Sequence, residues 1–239
     1  MMLIYKKIEE GSREKTYRNE LKYVCSEGEL IQIKKRIEPF CRLDPHVGQD
    51  GIYRIRSIYF DDKYDRCFYE NENGTDPREK FRIRVYNEDF SNIFLECKGK
   101  EKSMAYKYHS VISEQECKDI LDGRFSGRGW EDRLLSKFYL QCKGKQLRSK
   151  VVVVYERTPY IYSVGNVRIT LDRYIGGTAK VSDFFEKYLP VRPVMPEGQH
   201  VLEVKYDKFL PDFLYQTMNL GDLRQTAYSK YYFCRKFTR

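Results

Sequence analysis

Between Lys80 and Tyr86 the chain alternates residue by residue: Phe81, Ile83 and Val85 take one side of an extended strand, Lys80, Arg82 and Arg84 the other. Successive side chains of a strand point to opposite faces, so this segment has one apolar and one cationic face. The pattern recurs. Ile93, Leu95 and Cys97 oppose Glu96, Lys98 and Lys100; Val167, Ile169 and Leu171 oppose Arg168, Thr170 and Asp172; Leu202 and Val204 oppose Glu203 and Lys205. Near the N-terminus Tyr17, Asn19, Leu21 and Tyr23 oppose Arg18, Glu20 and Lys22, while Lys107 and Arg157 fall in further strands. On an open sheet such a charged face is a solvated surface. In a sheet that closes, it faces inward, where unpaired cations are costly. Glu20/Lys22, Glu96/Lys98 and Glu203/Lys205 set acid beside base at two-residue spacing. A bound polyphosphate with a divalent cation would neutralise the remainder, arginine forks taking phosphate oxygens in pairs.

Caps and turn residues locate the intervening elements. Ser26-x-x-Glu29 and Ser113-x-x-Glu116 have capping-box spacing, and Leu30, Ile33 and Ile37 follow the first at helical intervals until Pro39. Strands are predicted over 16–23, 52–61, 78–86, 93–100, 104–112, 150–159, 167–174 and 201–207. Helices are predicted over 26–38, 63–71, 114–121, 130–142, 182–189, 211–219 and 226–236. This order predicts an α+β fold, a closed antiparallel β-barrel with surrounding helices. Residues 1–15 are weakly patterned, an extension or peripheral strand, and 16–239 read as one domain.

Composition narrows the partners. Lys and Arg number 44 against 35 Asp and Glu, a net charge of +9 that favours anionic ligands. With 21 Tyr and 14 Phe the chain is no disordered basic tail. Seven cysteines stand singly, without a C-x-x-C pair, and three histidines lack ligand spacing, so reduced thiols and no zinc site are expected. No apolar run nears the roughly 20 residues that span a bilayer, nor does the start resemble a signal peptide; the expected location is cytoplasmic. The glycines from Gly123 to Gly129 lack the Gly-Lys-Ser/Thr ending of a phosphate loop. Trp130 and the aromatic segment 228–233 read as packing residues.

Taken in order, Arg18-x-Glu20-x-Lys22-Tyr23, Ser57-x-Tyr59-Phe60-Asp61, Lys80-x-Arg82-x-Arg84, Leu95-Glu96-x-Lys98, Tyr155-Glu156-Arg157, 167–172, Leu202-Glu203-Val204-Lys205 and Ser229-Lys230 form a specific series. It resembles the VTC-type domain of polyphosphate polymerases, within the triphosphate tunnel metalloenzyme (CYTH-like) superfamily. The resemblance implies a β-tunnel in which Lys22, Arg82, Arg84, Lys98, Arg157, Arg168 and Lys205 act on phosphate. It further implies that Lys107, Ser229, Lys230 and Arg18 bind substrate and that Glu203 holds Mn²⁺ or Mg²⁺. The implied partners are ATP and polyphosphate, not nucleic acid. Hydrolytic members look like E-x-E-x-K at the first strand, and Arg18 stands at the first of those acidic positions. That substitution favours a polymerase, whose phosphate-chain nucleophile needs no base. A tunnel-fold triphosphatase, or a non-catalytic domain binding polyphosphate or RNA, remains the alternative.

Overall fold

In the computed structural model, which describes residues 16–125 and 131–239, the alternating segments pair into one antiparallel sheet. Its order is β1 (Asn19–Ser26), β10 (Gln199–Tyr206), β8 (Val167–Thr178), β7 (Arg148–Tyr162), β3 (Tyr53–Asp61), β4 (Arg78–Tyr86), β5 (Ile93–Glu101) and β6 (Met104–Ile112). Two short strands sit off this path, β2 (Arg42–Leu43) on β7 and β9 (Arg192–Pro193) on β8. Around the sheet lie α1 (Glu27–Ile37), α2 (Arg66–Glu72), α3 (Glu114–Leu121), α4 (Arg133–Gly144), α5 (Asp212–Thr217) and α6 (Lys230–Thr238).

The closed barrel expected from the sequence does not form. β1 and β6 end the sheet, and the described residues join them through a single bridge, Arg18 with Ala105, which exchange hydrogen bonds of 2.9 and 3.0 Å. Stagger is the reason. In antiparallel register from the Arg18–Ala105 bridge, Asn19 falls opposite Met104, and each β1 residue from Glu20 on needs a partner before Met104, where the chain turns through Lys102 and Ser103, at φ of 51° and 64°. The sheet is therefore a curled, open half-barrel with a seam between its edges.

Apolar alternation decides which face is covered. Ile83, Val85, Leu95 and Cys97 pack on Ile120 of α3 and Leu135 and Phe138 of α4. Ile169, Leu171, Leu202 and Val204 pack on Leu30, Ile33 and Ile37 of α1 and Leu214 of α5. Both capping boxes form as expected, Ser26 with Glu29 and Ser113 with Glu116. With the convex side sealed, the charged face is concave. Part of that concavity is apolar: Ile55, Tyr59, Val153 and Tyr155 meet Tyr231 and Cys234 of α6. The approach is close at Gly177, where a Cβ would lie 2.7 Å from the Cys234 Cβ. A glycine in a strand marks such a contact.

Two elements differ from expectation. The last helix starts at Lys230 rather than 226 because the preceding segment is extended along β1: Gln225 bridges Tyr23, and the Thr226 N–H donates to the Lys22 carbonyl at 2.8 Å. Over 182–189 the structure has a 3₁₀ turn at Val181–Phe185 in place of a helix. All seven cysteines are buried and free. No helix among the described residues is long and apolar enough to cross a membrane. Residues 1–15, Trp130 and the glycines Gly127 and Gly129 lie outside the described residues.

Candidate active site in the concave face

One recess of about 320 Å³ in the concave face is lined by Arg18, Lys22, Arg82, Arg84, Lys98, Lys107, Arg157, Arg168, Glu203, Lys205, Ser229 and Lys230. Every site residue singled out in the sequence reaches it. They come from β1 and the bridge residue before it, from β4, β5, β6, β7, β8 and β10, and from the start of α6. Shared parity on neighbouring antiparallel strands is what brings them together. This face is not a wet surface: Arg84 is 4% exposed, Glu96 2%, Glu203 3% and Arg157 7%.

The cations are offset by four carboxylates, Glu20, Glu96, Asp172 and Glu203. Glu96 accepts from Arg82 at 2.5 Å and Lys107 at 2.9 Å. Glu20 binds Lys98 at 2.8 Å, across the seam, and Lys22 at 3.1 Å. Asp172 takes Arg157 in a fork, at 2.6 and 2.7 Å, and Lys230 at 2.6 Å. Glu203 meets Arg157 at 3.1 Å, Lys205 at 3.2 Å and Lys22 at 3.8 Å. Burial alone would raise Glu96 and Glu203. The cations outweigh it, Arg82 foremost for Glu96 and Lys205 for Glu203, and hold both well below the ordinary carboxylate range. Burial draws the Lys205 ammonium down to about 7 despite Glu203.

In and behind the wall of the recess are groups to which the sequence assigned no role. The Tyr59 hydroxyl accepts from Arg82 at 2.9 Å, the Tyr155 hydroxyl from Arg84 at 3.0 Å, and Ser57 Oγ from Arg84 at 3.1 Å. Burial would raise the Tyr59 phenol, but Arg82, Arg84 and Lys80 bring it down to about 8. Lys80 itself lines the recess and donates to Ser229 Oγ at 3.3 Å. Its parity with Arg82 and Arg84 was the signal for it. Ser229 caps α6, accepting from the Tyr232 N–H at 3.3 Å, so the positive end of that helix faces the cavity.

Two cations sit at the rim. Arg168 is ion-paired with Asp44 at 2.9 Å, and Arg18 with Asp207 at 2.9 Å while it also donates to the Asn166 carbonyl. A second cavity of about 350 Å³ adjoins the recess, with Arg78, Lys100, Gln225 and Thr226 in its wall. Glu20, Lys22, Lys80, Lys98 and Ser229 border both.

No group of three His, Cys, Asp or Glu among the described residues is arranged to hold a metal ion. The donor set nonetheless fits a hard divalent cation that arrives with phosphate. Such an ion takes one or two carboxylates and fills its shell from phosphate and water. Glu20 and Glu203 lie diagonally across the β1–β10 pair, where Lys22 is opposite Glu203 and Lys205 opposite Glu20.

A family model described as the VTC domain matches residues 17–238. No curated protein matches the chain. Among solved structures, the PH1819 protein of Pyrococcus horikoshii OT3 is similar at 16% identity, over 92% of this chain and 99% of that one, with a TM-score of 0.47. The Mimivirus capping enzyme triphosphatase is similar at 10% identity, over 88% and 89%, with a TM-score of 0.40. The inorganic triphosphatase NE1496 is similar at 11% identity, over 82% and 79%, with a TM-score of 0.28. With its family match running from just before β1 to the end of α6, the chain belongs to the VTC domain family.

Proposed function

We propose that this protein is a polyphosphate polymerase, a metal-dependent phosphotransferase that moves the terminal phosphoryl group of ATP onto a growing inorganic chain. The observation that carries the reading is the surplus of cations over carboxylates in a recess that adjoins a second, basic cavity. A triphosphate alone needs one pocket; a lengthening polyanion needs a way out.

Phosphoryl transfer asks chiefly for in-line positioning and charge neutralisation. Lys22, Arg82, Arg84, Lys98, Arg157, Arg168 and Lys205 would bear on the triphosphate and the group in transfer. Lys107, Ser229, Lys230 and Arg18 would hold the remaining phosphates. A terminal oxygen of the chain forms a bond to the γ-phosphorus while the bond from that phosphorus to the β–γ bridging oxygen breaks, and ADP leaves. The nucleophile is already anionic, and the ion pairs of Glu20, Glu96, Asp172 and Glu203 agree with a site that needs no general base. Glu203, with Glu20, would hold Mn²⁺ or Mg²⁺, which when bound supplies further charge neutralisation at the phosphate oxygens.

The second reading, a triphosphatase, is favoured by that same carboxylate pair, which could serve a metal and an attacking water. Incubation of purified protein with ATP and Mn²⁺, followed by separation of chains from free phosphate, distinguishes the two. Chains with little free phosphate are expected. Free phosphate alone, at every ATP and metal concentration, would replace the polymerase with the hydrolase.

A further inference from the structure

Lys80 differs from the other cations of the recess in its partners. Lys22, Arg82, Lys98, Arg157 and Lys230 each stand within 3.1 Å of a carboxylate oxygen. Among the described residues, no carboxylate is at ion-pair distance from Lys80. Its Nζ has Ser229 Oγ at 3.3 Å and the centre of the Tyr231 ring at 5.8 Å. Lys98 faces it from β5 as its direct cross-strand partner, Lys22 from β1, Tyr59 from β3 and Cys67 from α2; Glu70 of α2, Glu79 of β4 and Glu20 of β1, the last paired with Lys98 and Lys22, border the same cavity beyond ion-pair distance of Lys80. Burial draws the ammonium down to about 8, and Lys98 and Lys22 push the same way against Tyr59. Lys80 borders both the recess and the second cavity, so it stands where the two meet.

An amine crowded by two ammonium groups and lacking a counter-charge is ready for an anion. We propose that Lys80 is a phosphate contact at the junction of the two cavities, and that it takes up a proton from solvent as phosphate binds there. No bond to phosphorus is made: the neutral amine gains a proton from water or buffer and donates hydrogen bonds to phosphate oxygens. The inference rests on the polyphosphate reading of the recess and adds a residue and a proton to it.

Inorganic tripolyphosphate, without metal or turnover, is the probe. Calorimetric titration at pH 8 in two buffers of different ionisation enthalpy gives the protons exchanged per ligand bound. Since Lys80 titrates at about 8, wild-type protein should take up about half a proton more than Lys80→Arg, which keeps the charge but not the titration. Lys80→Gln removes both. Its affinity deficit relative to wild type should shrink up to about tenfold as pH rises from 7 to 9. Equal proton uptake in wild type and Lys80→Arg, or a deficit of Lys80→Gln that ignores pH, overturns the role of Lys80 while leaving the polyphosphate site intact. Failure of wild-type protein to bind tripolyphosphate overturns both.

Discussion

Arg157 holds Asp172 through two parallel hydrogen bonds, of 2.6 and 2.7 Å, in a part of the sheet where the aspartate is 0% exposed. The pair joins more than β7 to β8. Lys230 at the start of α6 binds the same carboxylate, and Arg157 reaches on to Glu203 of β10. The Arg157–Asp172 pair therefore ties three strands and a helix into the wall of the recess. Part of the cost of collecting cations on one face is thus offset within the chain, and the surplus is left for a ligand.

Asp172→Asn should unbalance that wall. It keeps the shape but takes the carboxylate from Lys230 and leaves Arg157 with Glu203 alone, a loss of about 3–5 kcal/mol in stability. Urea denaturation measures it. Saturating tripolyphosphate should stabilise the variant more than wild type, since the ligand restores negative charge. Wild-type stability in the variant would mean the fork contributes nothing net.

Arginine chemistry should be separable from mere charge. Arg82→Ala deletes a guanidinium positioned by Glu96 and Tyr59, and should cost about 2–4 kcal/mol in transition-state binding, read from kcat/KM. Lys35, exposed on α1, should be replaceable by Ala with no change. Equal losses would point to a non-specific polyanion binder.

Glu203→Gln tests the acid proposed for the metal. The expected result is a fall in activity by orders of magnitude and a higher Mn²⁺ concentration for half-activation. Because Glu203 is buried against Arg157 and Lys205, the unliganded variant should also melt earlier than wild type. Normal turnover with unchanged metal dependence would remove Glu203 from the role.

The buried acids fix the direction of the pH response. Glu96 and Glu203 lie well below the ordinary glutamate value of 4.5 in the folded protein. A depressed carboxylate contributes stability that is fully present above its unfolded value and is lost as pH falls through the folded one. Stability of the unliganded protein should therefore drop steeply below about pH 4.5, and Glu96→Gln should flatten that slope. A Glu96→Gln profile parallel to wild type would show that other acids control acid unfolding.

Much of this wall was legible because strand parity is local. Lys80, Arg82 and Arg84 announce one cationic face within five residues, and the two capping boxes appear in the structure as read. What depends on distant pairing was not legible. Lys98 reaches Glu20 only because the sheet curls enough to bring β5 toward β1, and the open seam follows from a stagger set by the Lys102–Ser103 turn. Tyr59 and Tyr155 share parity with the arginines, yet a tyrosine in a strand reads as core until its hydroxyl is seen accepting from a guanidinium. β2 and β9 are too short to carry a period. The late start of α6 depends on backbone pairing with β1, which no side-chain pattern encodes.

Tyr231 offers a test of how the recess is held rather than what it holds. Its hydroxyl donates to Asp61 Oδ2 at 2.5 Å, and that buried carboxylate also accepts from the backbone N–H groups of Cys67 and Phe68 at the start of α2. Asp61 thus clamps α2 and α6 to the end of β3, and α6 begins with Ser229 and Lys230 in the recess. Tyr231→Phe preserves the ring beside Tyr59, at 5.3 Å between centroids, and removes only the donor. Leaving one acceptor of a buried carboxylate unmet should cost about 1–3 kcal/mol in stability. A looser α6 would weaken the phosphate contacts proposed for Ser229 and Lys230 in ground and transition states alike, so KM for ATP should rise more than kcat falls. Tyr231→Phe with wild-type stability and unchanged KM would show that packing against β7 and β8, not the Asp61 clamp, positions the helix.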